Sequence, residues 1–163
     1  MDDGEQLTQM IPRLRRYARA LVGDEAGADD LVQDTLERAL AKLHLYRAGT
    51  DLRAWLFTMM HNIRVNKLRS KRAAETVEEE IPERAQRPPQ DDALLVRDLD
   101  RAVAQLPEEQ RAVLLLVTLE NMSYDDVART LGVPIGTVMS RLSRAREKLR
   151  ATLFGQSKLK VVK

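Results

Sequence analysis

The chain has 163 residues with 27 basic and 25 acidic side chains, no cysteine, two histidines and 4% aromatics. That length suits one medium domain or two small ones, while the missing cysteines exclude disulfides, thiolate metal sites and thiol catalysis. No apolar run is long enough to cross a bilayer, and the acidic, polar start MDDGEQLTQM is not a secretory signal, so a cytoplasmic protein is expected.

Residues 1–71 carry 12 basic and 10 acidic side chains and read as helical throughout. Leu7, Ile11, Leu14, Ala18 and Leu21 recur at spacings of three and four, which predicts a helix over 5–22, interrupted by Gly23 and Asp24. A second amphipathic helix is predicted over 26–43. Leu31, Thr35, Ala39 and Leu43 lie along one line of it, with Val32, Leu36 and Leu40 beside them. Its polar side carries Asp29, Asp30, Gln33, Asp34 and Glu37. A carboxylate metal site there lacks any pairing histidine, and a docking face for a basic protein partner fits better. Residues 44–50, HLYRAGT, read as a loop that holds His44, Tyr46 and Arg47. Asp51 can cap a third helix, roughly 52–71, in which Trp55 is expected to be core. That helix ends in Arg64, Lys67, Arg69, Lys71 and Arg72 with no acid among them. Asn62 and Asn66, one turn apart, share a face with Arg69, a combination able to touch bases and phosphates together.

Residues 72–92 hold 3 basic and 7 acidic side chains, and Pro82, Pro88 and Pro89 fall among the charges. Residues 72–91 therefore read as an extended acidic linker, with a short helix at Ala73–Glu80 as the alternative. Helical periodicity returns with Leu94, Leu95, Leu99, Val103 and Leu106. Pro107 ends that helix, and another is expected over 108–120 with the apolar run Ala112–Val117. Residues 93–163 are basic, with 12 cations against 8 acids.

Residues 123–150, SYDDVARTLGVPIGTVMSRLSRAREKLR, have the layout of a helix-turn-helix. Ser123 can cap the first helix, and Asp125 and Asp126 suit its positive end. Gly132 stands where the chain must leave it, and Pro134 helps start the next helix. In that next helix Val138, Leu142, Ala145 and Leu149 share an inward side. Thr137, Ser140, Arg141 and Arg144 share another, offering the hydroxyls and guanidinium forks that read base edges and hold phosphates. Arg146, Lys148 and Arg150 extend the positive charge. A merely solvated basic helix is the bland alternative. No strand-like alternation or internal repeat occurs. The expected fold is all-α: helical domains at 1–71 and 92–163 joined by the linker, the second a helix-turn-helix.

Three stretches together, GADDLVQDTLERAL (27–40), DLRAWLFTMMHNIRVNKLR (51–69) and LPEEQRAVLLLVTLENMSYDDVARTLGVPIGTVMSRLSRAREKLR (106–150), resemble the bacterial RNA polymerase sigma factors of the extracytoplasmic-function group. The resemblance covers nearly the whole chain. It implies a first domain that binds and melts the promoter −10 element and a second that reads the −35 element as duplex. Asp30, Gln33, Asp34 and Glu37 would match the surface that grips the β′ clamp helices of core RNA polymerase, whose β flap is the further expected contact. The loop Leu43–Thr50 would capture a base flipped from the −10 strand. Asn62 falls at the family's single-strand position, with Arg64 and Lys67 nearby; Tyr46, Arg47, Asn66 and Arg69 join them as expected −10 contacts. Gly136, Thr137, Ser140, Arg141 and Arg144 match the −35 reading helix, and Arg146 adds to it. Met139 stands where relatives often carry a basic residue, which implies weaker phosphate contact there.

The linker acids Glu75, Glu78, Glu79, Glu80 and Glu83 would thread the polymerase's RNA path, and an anti-sigma protein is implied as a further partner. No nucleophile–base pair, metal set or phosphate loop is encoded, so no enzyme activity, metal or cofactor is expected. The alternatives are a conventional helix-turn-helix regulator, or a sigma-like adaptor that only binds an anti-sigma protein. The first leaves the acidic helix and the basic third helix unexplained. The second should lack the basic DNA-reading residues.

Overall fold

A computed structural model describes residues 2–74 and 93–161, with side chains for 2–74 and 96–155. The described residues form seven α-helices and one 3₁₀ turn, with no strand among them. They divide into two compact units, one around the first three helices and one around the last four.

In the first unit, α1 spans Asp3–Val22, α2 Glu25–Ala41 and α3 Leu52–Ala74. Asp2 caps α1 by accepting from the Glu5 amide at 2.7 Å. Gly23 ends it in the left-handed region, φ 89°, with its N–H donating to the Arg19 carbonyl. Asp24 then caps α2 and Asp51 caps α3, each through a carboxylate oxygen. Leu14, Leu31, Leu56 and Met60 are buried at the centre of this unit. Tyr17 of α1 meets Phe57 of α3 edge to face, with ring centroids 5.1 Å apart. Thr35, placed on the apolar line by its spacing, is fully buried and tolerated there because its hydroxyl donates to the Leu31 carbonyl at 2.7 Å.

Three expectations change here. The second helix stops at Ala41 and gives way to the 3₁₀ turn Leu43–Leu45, and Leu40, in its last turn, is exposed rather than inward-facing. Trp55 is only half-buried. The third helix continues through Arg72–Ala74, into the segment read as linker. The rest of that segment, including its five glutamates, lies outside the described residues.

In the second unit, α4 spans Ala93–Gln105, α5 Glu108–Thr118, α6 Tyr124–Leu131 and α7 Ile135–Val161. Helices α4 and α5 both pack against α7. Val113, Leu116, Val127, Val138, Leu142 and Ala145 are buried, and Leu149 is half-buried. Leu99, expected on the inward line of α4, is 45% exposed. The helix-turn-helix has the caps its sequence announces. The Ser123 hydroxyl accepts from the Asp126 amide at 3.1 Å. Gly132 adopts φ 67°, and the Val133 amide donates to the Ala128 carbonyl at 3.1 Å. A Cβ at Gly132 would meet nothing within 4 Å, so only its left-handed backbone requires glycine. Gly132→Ala is therefore expected to destabilise by about 1 kcal/mol. Urea unfolding of the full chain measures this, and an unchanged midpoint would contradict it.

Candidate nucleic-acid interface

Helix α7 buries the side its sequence predicts. Val138, Leu142 and Ala145 fix one side in the core, which turns Gly136, Ser140 and Arg144 to solvent, with Thr137 half-buried beside them. Arg146 is exposed on the flank. A Cβ at Gly136 would meet no atom within 4 Å, so packing inside the protein does not demand glycine there. The space stays open for an approaching partner. Met139, on the same helix, is 52% exposed. Arg141 is different. Its guanidinium lies 3.7 Å from the Glu109 carboxylate on α5, and its side chain is only 24% exposed. Sequence periodicity gave no sign of this pairing.

In the first unit the loop after α2 is built from its own hydrogen bonds. Tyr46 is buried, its ring is tilted against Trp55 at 5.3 Å, and its hydroxyl donates to the Thr50 carbonyl at 2.7 Å. The Thr50 hydroxyl donates to the Arg47 carbonyl at 2.7 Å, and Gly49 turns the chain at φ 92°. This knitting places Tyr46 inside as scaffold and leaves His44, Leu45 and Arg47 outside. Beneath the loop lies a groove of about 310 Å³ lined by Arg38, Lys42, Leu45, Trp55, Thr58, Met59 and Asn62. That volume falls at the small end of ligand clefts, roughly 300–1,000 Å³. The groove has an indole wall, an exposed asparagine amide and two cations one helical turn apart. Such a set can hold a flat, hydrogen-bonding ring beside an anion. Arg38 and Lys42 were missed from sequence. Their signal was the four-residue spacing just before the loop.

Asn66 and Arg69 continue the exposed face of Asn62 along α3, and Arg64 is half-buried. Lys67 points into a second groove, between α2 and α3, where its Nζ contacts Oδ2 of both Asp30 and Asp34. Beside them the Gln33 amide donates to Glu37 at 3.4 Å. Burial alone would lower the Lys67 pKa. Hydrogen bonds and charge attraction from Asp30 and Asp34 outweigh it, so the pKa is raised above the usual 10.5. A raised lysine pKa gives a stabilisation that is complete below 10.5 and lost only as pH climbs through the raised value. The cluster is thus intact at neutral pH. Residues expected to contact DNA and residues expected to grip polymerase therefore meet at one point. No group of three or more potential metal ligands occurs among the described residues. No described helix is long and apolar enough to cross a membrane.

Comparison with known proteins gives the same two parts. A family model described as the Sigma2 domain of PhyR matches residues 7–61, and one described as Sigma-70, region 4 matches residues 97–149. The chain is 37% identical over 152 residues to the ECF RNA polymerase sigma factor EcfG of Rhodopseudomonas palustris (strain TIE-1), across 92% of this chain and 84% of that protein. It is similar to the sigma factor RpoE of Bartonella quintana, solved in complex with the anti-sigma factor NepR, with TM-score 0.79 and 35% identity over 92% of this chain and 95% of that one. It is also similar to a chain in the PhyRSL–NepR complex of Sphingomonas sp. Fr1, with TM-score 0.67 and 26% identity over 93% and 91%.

Proposed function

The chain belongs to the extracytoplasmic-function RNA polymerase sigma factors, and we propose that its two units divide promoter recognition by the residues described above. It directs core RNA polymerase to specific promoters and initiates transcription there. In the second unit, Thr137, Ser140, Arg141 and Arg144 enter the major groove of the −35 element. Gly136 admits the DNA backbone and Arg146 adds phosphate contact. This unit also meets the β flap. In the first unit, the groove under the loop takes a base flipped from the −10 strand. Asn62 hydrogen-bonds it, the Trp55 indole walls it, and Arg38, Lys42 and Arg47 hold the neighbouring phosphates. Asn66, Arg64 and Arg69 guide the strand onward. Tyr46 acts through the loop it shapes.

The chain encodes no ATP motor, so binding energy must melt the duplex. Flipping a base costs a few kcal/mol, and stacking on an aromatic returns about 1–3 kcal/mol per base. The groove alone roughly breaks even, and polymerase contact must supply the rest. That contact is assigned to Asp30, Gln33, Asp34 and Glu37 against the β′ clamp helices. Asp34→Lys should weaken core binding about ten-fold or more, since a like charge set against a basic partner costs several kcal/mol. Anisotropy titration of labelled protein with core polymerase measures it, and an unaltered affinity would remove Asp34 from the docking face.

The protein works in the cytoplasm and is held by an anti-sigma protein resembling NepR, supported by its likeness to the RpoE–NepR structure. The observation that carries the reading is the outward row on α7, Ser140 and Arg144 with Thr137 and Arg141 beside them, in a member of this family. That row also separates it from a sigma-like adaptor, which has no use for a DNA-reading face. Gel filtration with core polymerase tests the reading. Co-elution supports it, whereas retention of duplex DNA without core binding would make the chain a conventional regulator.

A further inference from the structure

Lys67 lies in the basic run of α3 between Asn66 and Arg69, both solvent-facing, yet its ammonium is already engaged. Asp30 and Asp34 stand four residues apart on α2, one helical turn, so a single ammonium spans both carboxylates. The three charges line an open groove of about 760 Å³ with Asn66 and Ser70. An ammonium carries one unit charge and three donors. While both aspartates hold it, two of those donors are taken and its charge is offset by two carboxylates, so a phosphate is attracted weakly until they let go. Asp30 is the more exposed of the two, its side chain 66% accessible against 38% for Asp34, so a cationic partner can reach this pair from solvent.

Resting on the docking face assigned above, we propose that Asp30 and Asp34 lock Lys67 away from nucleic acid in the free chain and release it when cations of core polymerase take over the carboxylates. Polymerase binding and single-strand binding are then coupled through one side chain. By linkage each favours the other by the same factor. The free chain thus has a weakened −10 surface, and the holoenzyme a complete one.

A double-mutant cycle on the full chain tests the lock. The probe is a dye-labelled, mixed-sequence single-stranded DNA, titrated without polymerase. Replacing Asp30→Asn and Asp34→Asn together removes two negative charges and tightens binding by some factor in any background. With Lys67 present the gain should exceed the gain in a Lys67→Met background by about two- to five-fold, the scale of a partly exposed charge contact. The slope of log K against log salt should also steepen by about 0.7, one more phosphate being neutralised, only when Lys67 is present. Equal gains in both backgrounds, or no gain in either, would overturn the lock. A second arm uses holoenzyme, where Lys67→Met should weaken binding of the same strand; wild-type affinity would overturn the release. If the wild-type chain fails to bind core polymerase, the docking reading falls and the release step with it. The free-chain cycle still decides, separately, whether the lock exists.

Discussion

Arg141→Ala is expected to cut transcription from a −35-dependent promoter about ten- to a hundred-fold, the equivalent of the roughly 1–3 kcal/mol carried by a good guanidinium–base contact. The fold should survive, because the neighbours that seat α7, Val138, Leu142 and Ala145, are untouched. The Glu109 pairing sets the sign of a competing effect. Arg141 must leave Glu109 to reach DNA, but that carboxylate is 77% exposed, and exposed pairs are worth about 0–1 kcal/mol. The DNA contact wins. Run-off transcription with core polymerase, alongside a thermal melt, checks both halves. Unchanged transcription would remove Arg141 from the reading helix, and a collapsed melt would make its role structural.

The second large effect concerns stability. Helix α4 ends at Gln105, and its last carbonyls need donors, but the chain turns at once into Pro107, which has no N–H. The Leu106 amide reaches the Val103 carbonyl, and Arg111, one turn into α5, supplies the further donors. Its Nε donates to the Val103 carbonyl at 3.1 Å, and its Nη2 donates to Ala104 at 2.8 Å and to Leu106 at 2.7 Å. The positive charge also suits a helix C-terminus. Arg111→Met keeps the aliphatic stem and removes every donor. It should destabilise the second unit by about 2–3 kcal/mol, the range for hydrogen bonds from a charged group. Arg111→Lys should recover part of this, since an ammonium keeps the charge but lacks the planar fork that spans these carbonyls. Chemical denaturation of the full chain resolves the loss. A Met variant that unfolds at the wild-type midpoint would mean that water serves those carbonyls equally well.

The helix-turn-helix was legible because its signals are local. Ser123, Gly132 and Pro134 each constrain the backbone within a few residues, and the spacing of Val138, Leu142 and Ala145 names the buried side. Periodicity failed where a shared face is not a covered one, so Leu40 and Leu99 follow the apolar pattern and still meet solvent. It also misjudged rings. Trp55 follows the core spacing but forms a groove wall, and Tyr46, placed in a loop, is buried because its hydroxyl finds a carbonyl four residues on. Pairings between helices were out of reach. Lys67 meets Asp30 across 37 positions of sequence, and Arg141 meets Glu109 across helices. A basic run in sequence therefore overstated how many cations stand free.

Promoter recognition by both units is measured most directly by transcription itself, with the purified full chain and core polymerase on a promoter library and the transcript starts sequenced. Discrete start sites that share two upstream elements at a fixed spacing, one for each unit, are expected. Core binding without any specific start would contradict promoter recognition and leave a sigma-like adaptor in its place.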